Sequence, residues 1–224
     1  KFVFSPIDLS YIDIEKDSVF AARLKEIDNT FLSNSYSAHL IPSSSIGYFY
    51  SNQDFEKNSN FMYLKLNLES AGNALKVLSQ PLKLNQNLDG NYQAFDVPFS
   101  QYVKVDFDLR FFEVLTQHST IVYRGFGGIA VPLSNNSSIP FEKSFFAGGA
   151  NDNRAWTAYN LGPGSSINNN EFNEANFKIA FNIEHRFNLF NNIYRSFICI
   201  WVKTYNVSSR FNETINIFSN WSYH

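Results

Sequence analysis

Asp106 and Asp108 stand two residues apart in "YVKVDFDLR". That spacing sets two carboxylates side by side on one face of a strand, where one could act as a general acid and the other as a base. Lys104 and Arg110 flank them at the same two-residue step, so the four side chains read as a charge-neutralised ladder. His39, His118, His185 and His224 are far apart, and none has metal-ligand spacing. Cys199 is the single cysteine; it can form no internal disulfide and reads as a small packed apolar side chain. Gly125, Gly127 and Gly128 in "RGFGG" lack the following helix that a phosphate cradle needs, and neither a Walker loop nor a G-x-S-x-G motif occurs. These residues predict no enzyme, no metal site and no cofactor.

The elements that would carry them alternate with period two. In Phe61 to Glu69, Met62, Leu64, Leu66 and Leu68 share one face, and Tyr63, Lys65, Asn67 and Glu69 the other. In Gln101 to Phe111, Val103, Val105, Phe107, Leu109 and Phe111 oppose Lys104, Asp106, Asp108 and Arg110. From Asn176 to Phe187, Phe177, Ile179, Phe181, Ile183, His185 and Phe187 oppose Lys178, Ala180, Asn182, Glu184 and Arg186. Ser119 to Leu133 reads as a strand whose glycines mark a bend or the close approach of something to the backbone. Phe2 to Ile14, Ile41 to Asn52, Tyr194 to Val207 and Phe211 to Tyr223 are weaker strands, giving about eight. Ser18 to Ile27 is the one predicted helix.

The composition agrees: 24 Phe and 12 Tyr, with only 17% charged residues against a usual ~25%. A net charge of -2 argues against a nucleic-acid partner. No apolar run reaches the ~18 residues of a membrane helix. The predicted strands are instead as long as the ~9 to 11 residues that cross a bilayer when tilted, and mid-strand charges of both signs suit a water-filled lumen. Aromatics near strand ends, Tyr48, Phe49, Tyr50, Phe111, Phe112 and Trp201, fall where interfacial girdles sit. The fold class expected is all-β, an antiparallel transmembrane β-barrel, with a soluble β-sandwich as the alternative.

One stretch fits neither strand nor turn. "PFEKSFFAGGANDNRAWTAYNLGPGSS", Pro140 to Ser166, carries Phe141, Phe145, Phe146, Trp156 and Tyr159, more aromatic surface than a solvated linker holds. Its Pro140, Phe141, Phe146, Gly148, Gly149, Arg154 and Trp156 resemble the P-F…F…G-G…R-G-aromatic pattern of the BamA/TamA superfamily of outer-membrane assembly barrels. "LGPGS", "LESAGN" at Leu68 to Asn73 and "SPIDLSY" at Ser5 to Tyr11 resemble its TamL-type lipoprotein branch. Ala155 replaces the glycine after the arginine. "SFICIWVKTYNV" lacks the second acidic partner of the family's F-x-D-x-G-N strand, and "FSNWSYH" carries no recognisable closing strand.

The resemblance implies a bacterial outer-membrane barrel of roughly sixteen strands, of which residues 1–224 would supply a partial barrel. Upstream periplasmic domains and other strands would be absent. A long extracellular loop at about 134–175 would fold into the lumen, with Arg154 locked onto Glu184. Lys104, Asp106, Asp108, Arg110, Lys178, Asn182 and Arg186 would line that lumen. The implied function is assembly and insertion of client outer-membrane or surface proteins, with outer-membrane lipid and periplasmic or inner-membrane assembly subunits as further partners. A secretion pore of the same superfamily, a glycan-binding β-sandwich module and a passive diffusion porin are the alternatives.

Overall fold

The computed structural model describes residues 1–13, 15, 17–26, 38–87, 90–135, 138–150, 152–153, 156–161, 174–190 and 193–205, with backbone alone for 23–26 and from 188 onward. In chain order the elements are β1 (Phe2–Ile12), α1 (Ser18–Glu26), β2 (His39–Ser51), β3 (Phe61–Ala71), α2 (Asn73–Leu78), β4 (Gln93–Ala94) and β5 (Val97–Pro98). There follow β6 (Tyr102–Thr116), β7 (Ser119–Pro132), β8 (Phe145–Phe146), β9 (Glu174–Ala175), β10 (Phe177–Phe190) and β11 (Ile193–Tyr205). A single 3-10 turn spans Phe141–Lys143.

Seven strands form one antiparallel meander in the order β1-β2-β3-β6-β7-β10-β11. Among the described residues the sheet is open: β1 pairs only with β2, and β11 only with β10. The predicted strands form, with β6 running on to Thr116 and β10 to Phe190. The expected strand at 211–223 lies outside the described residues. Helix α2 was not anticipated; it begins inside the "LESAGN" segment, directly after Gly72 turns the chain off β3.

Register stacks the polar positions of neighbouring strands in rows. Lys65 faces Asp108, Asn67 faces Asp106 and Glu69 faces Lys104 across β3 and β6. Arg110 faces Arg124 across β6 and β7, and Asn182 faces Arg124 across β7 and β10. Burial is the reverse of a water-soluble sheet. Asp108, Glu69 and Lys178 keep only 6%, 8% and 8% of their surface, whereas Phe107, Phe181 and Ile183 keep 42%, 52% and 49%. The apolar face is bare and the charged face is covered. A sandwich would bury the apolar face against a second sheet; among the described residues no second large sheet exists. The chain is a partial β-barrel wall with its wet side inward.

Period-two alternation also corrects the aromatic girdle. Tyr48, Tyr50 and Phe111 fall on the apolar face, but Phe49 opposite Lys65 and Phe112 opposite Phe61 fall on the polar one, because adjacent residues on a strand point to opposite sides. The side chain of Trp201 lies outside the described residues. His185, the polar intruder on the apolar face, hydrogen-bonds through Nε2 to the Ser119 hydroxyl at 2.8 Å.

The sheet's two ends differ. Connections 52–60, 117–118 and 191–192 are short; 13–38, 72–101 and 133–176 are long and share the opposite end. Two of the long connections take different sides. Ile41 on the polar face joins Ala71, Tyr102, Ala130, Ile139 and Phe145 in one core. Leu40, one residue earlier and so on the apolar face, joins Ala94 and Phe99 in a second, with Leu75, Leu84, Tyr92 and Val97 against it. Asn135, 2% exposed, ties the two. Its amide donates to the carbonyls of Phe99 at 2.7 Å and Tyr92 at 3.1 Å, and its oxygen accepts from Tyr92 N–H at 2.7 Å.

Candidate functional site

The candidate site is the polar face of the sheet together with the described residues of the excursion between β7 and β10, 133–135, 138–150, 152–153, 156–161 and 174–176, which pack on it. The glycines of "RGFGG" explain part of the fit. Gly128 points to the polar side, where a Cβ would lie 2.5 Å from the Phe145 ring; its missing side chain is the slot that Phe145 fills. Gly127 and Gly125 point to the apolar side, under Phe107 and Phe181 of the neighbouring strands. These are the close approaches that the glycine spacing signals.

Contacts made by Lys104, Lys143, Lys178 and His39 hold the excursion down. Lys104 Nζ donates to the Lys143 carbonyl at 2.8 Å and lies 4.4 Å from the Phe145 ring centre. Lys143 Nζ reaches Glu69 Oε1 at 2.7 Å, and the fully buried Tyr102 hydroxyl donates to the same oxygen at 2.7 Å. Lys178 Nζ donates to the Phe146 carbonyl at 2.7 Å and meets Asp152 Oδ2 at 2.9 Å. His39 Nε2 lies 3.4 Å from Glu142 Oε2. Main-chain pairing of β8 with β9 anchors the excursion to the root of β10.

The motif residues shape the excursion itself. Pro140 precedes the 3-10 turn. Phe141 and Phe146 both stack with Tyr159, at 5.3 and 4.3 Å between ring centres. Gly148 and Gly149 adopt φ of 100° and 98°, a region that non-glycine residues avoid. A Cβ on Gly148 would stand 2.2 Å from the Thr157 carbonyl oxygen, and Gly148 N–H donates to Asp152 at 2.9 Å. Trp156 keeps 45% of its surface exposed; Tyr159, not Trp156, gathers the aromatic cluster. Arg154 lies outside the described residues. Glu184 sits on the polar side of β10, accepting from Arg186 at 3.0 Å.

The remaining polar-face residues form the ladder along the wall. Asp108 accepts from Arg110 at 2.8 and 2.9 Å and from Arg124 Nη2 at 2.8 Å. Asp106 accepts from Asn67 at 3.1 Å, and Asn182 donates to the Asp152 carbonyl at 3.3 Å. Toward the short-turn end the face opens into a cavity of about 530 Å³ lined by Phe61, Tyr63, Arg110, Phe112 and Arg186 among others. Asp152, Lys143, Glu142 and Arg124 were not singled out from sequence, and Phe145 was named only as one of the loop aromatics that need burial. The signal for Phe145 was Gly128; nothing in the sequence marks which loop carboxylate meets Lys178.

A charged wall, a folded-in loop and an apolar outer face are the features of an outer-membrane barrel of one particular kind. Compared with known families, residues 33–202 match the Omp85 superfamily domain. The chain belongs to the Omp85 superfamily. No individual curated protein matches it. Omp85 superfamily proteins are bacterial outer-membrane proteins, and a general role in outer-membrane assembly or secretion comes with that membership. In this Omp85 domain the described part of the long loop packs on the polar face of the wall.

Two expectations test the docking. Gly148→Ala should cost about 1–3 kcal/mol, the usual range for a residue forced into such a backbone, and should speed protease cleavage between 140 and 161 while the sheet stays protected. The second concerns Glu142. Burial pushes its carboxyl up, but contact with His39, its own backbone N–H and the charge of Lys143 outweigh that and hold it below the ordinary carboxylate value. A group with a lowered folded pKa stabilises fully above its ordinary value and stops doing so as pH falls through the lowered one. Protease protection of the loop should therefore weaken on acidification through that window. Glu142→Gln should flatten this part of the curve, modestly, because the side chain is 35% exposed.

Proposed function

We propose that the chain forms part of the barrel wall of a BamA/TamA-like assembly factor, of the TamL-type branch, that inserts client outer-membrane or surface proteins. The observation that supports this reading most is the long loop held by buried charged contacts on the polar side of a wall whose other side is bare and apolar. Lipid does not tolerate the unpaired edges of an open sheet, so the seven strands are read as part of a larger closed barrel. Insertion would then work at an exposed seam of that barrel, whose backbone N–H and C=O groups let a client strand form by β-augmentation, with no nucleotide or cofactor. Barrels of this kind carry short turns on the periplasmic side and long loops outside, which places the excursions 72–101 and 133–176 extracellularly. Arg154 locked onto Glu184 belongs to the same reading and would add a loop-to-wall pair beside Asp152–Lys178.

Site-specific cross-linking tests it. Photo-reactive residues scanned along the seam strands of the full-length protein are expected to trap nascent outer-membrane proteins during assembly, and depletion is expected to lower many of them at once. Loss of a single secreted protein, with no trapped barrel clients, would instead identify a dedicated secretion pore and reject the insertion role.

A further inference from the structure

The excursion 72–101 packs on the apolar side of the sheet through Leu40 and Phe99, at the rim of the surface that Leu66, Val105 and Phe107 leave bare. Beside the exposed Gln80, Lys83, Asn85, Gln86 and Asp96, its outer surface carries large apolar side chains that a loop in water would bury. Val77 and Leu82 are 78% and 58% exposed, and Phe95 is 91% exposed. Phe95 and Asp96 form the two-residue turn between β4 and β5, at φ of 55° and 62°. A turn with both central residues at positive φ normally uses Asn-Gly, and a bulky side chain resists that conformation. The ring adds almost nothing to the small core behind it, so internal packing does not account for a strained aromatic at the tip. Lys83 lies in the same body and is exposed.

We propose that this excursion is a membrane-seated flap. Phe95 and the Val77–Leu82 flank enter the boundary between headgroups and acyl chains of the adjoining leaflet, and Lys83 lies at phosphate level. The inference rests on the reading that the sheet's apolar face meets lipid. That continuity also selects the occupant: the flap stands on the lipid side, where the apolar band ends, and aromatic rings and snorkelling lysines suit that depth. Apolar surface there gains burial without any protein partner.

The test uses the full-length protein in vesicles of phosphatidylethanolamine and phosphatidylglycerol with doxyl-labelled acyl chains. An environment-sensitive fluorophore is placed on Phe95→Cys, and separately on Leu66→Cys, in a Cys199→Ser background. Blue-shifted emission and doxyl quenching at both positions, with little effect of aqueous iodide, is the expected result. Doxyl quenching at Leu66→Cys together with water-like emission and iodide quenching at Phe95→Cys overturns the flap and leaves the lipid-facing sheet intact. Iodide quenching at both positions overturns the flap and the lipid-facing reading together.

Discussion

Lys178→Met is expected to release the long loop from the wall and to destabilise the folded protein by about 3–5 kcal/mol, the usual consequence of removing one partner of a buried ion pair. Lys178 Nζ serves two loop groups, the Phe146 carbonyl and the Asp152 carboxylate. The paired side chains are 10% and 12% exposed, so solvent cannot replace the lost cation cheaply. Without it Asp152 is left covered and unneutralised next to the glycine turn that it also braces through Gly148 N–H. Denaturant unfolding of the protein in lipid or detergent measures the loss, and protease cleavage within 140–161 locates it. The charge-swapped double variant Lys178→Asp with Asp152→Lys should recover part of the midpoint. Unchanged unfolding and cleavage in Lys178→Met would mean that Phe145 in the Gly128 slot suffices to hold the loop.

The second large effect belongs to Asp108→Asn. Two guanidiniums, from Arg110 and Arg124, converge on this one carboxylate, and they face each other directly across β6 and β7. Like charges placed opposite one another repel, so the carboxylate is what allows the pair. Asparagine keeps the shape and removes the charge, and two cations then share a site in which Asp108 itself is 6% exposed. The expected cost is again about 3–5 kcal/mol, read as a lower temperature of the heat-modifiable band shift on gels. Adding Arg124→Met to Asp108→Asn should return most of it. A single variant that melts like the wild type would show that water in the lumen already screens the two arginines.

Most of the fold was legible because the strands separate charge from apolar bulk so cleanly. In β6 no residue from Val103 to Phe111 breaks the alternation, and the register rows follow once neighbours are paired. Which face is covered was not contained in that alternation, since a sandwich and a barrel write the same pattern; the exposure of Phe107 against the burial of Asp108 decides it. The site was legible in its backbone requirements and not in its charge pairing. Gly128, Gly148 and Gly149 announce themselves by composition. The Asp152–Lys178 and Lys143–Glu69 contacts join residues 26 and 74 positions apart, and several acids and bases could have exchanged places without altering any local pattern. Helix α2 escaped because its six residues are too few to show a period.

The clamp at Asn135 has a mechanical corollary. One amide fastens the root of the inner loop to the main chain of the outer one, so a tug on either is transmitted through the wall within a hydrogen bond's length. A partner that pulled on the outer excursion would therefore load the inner loop as well.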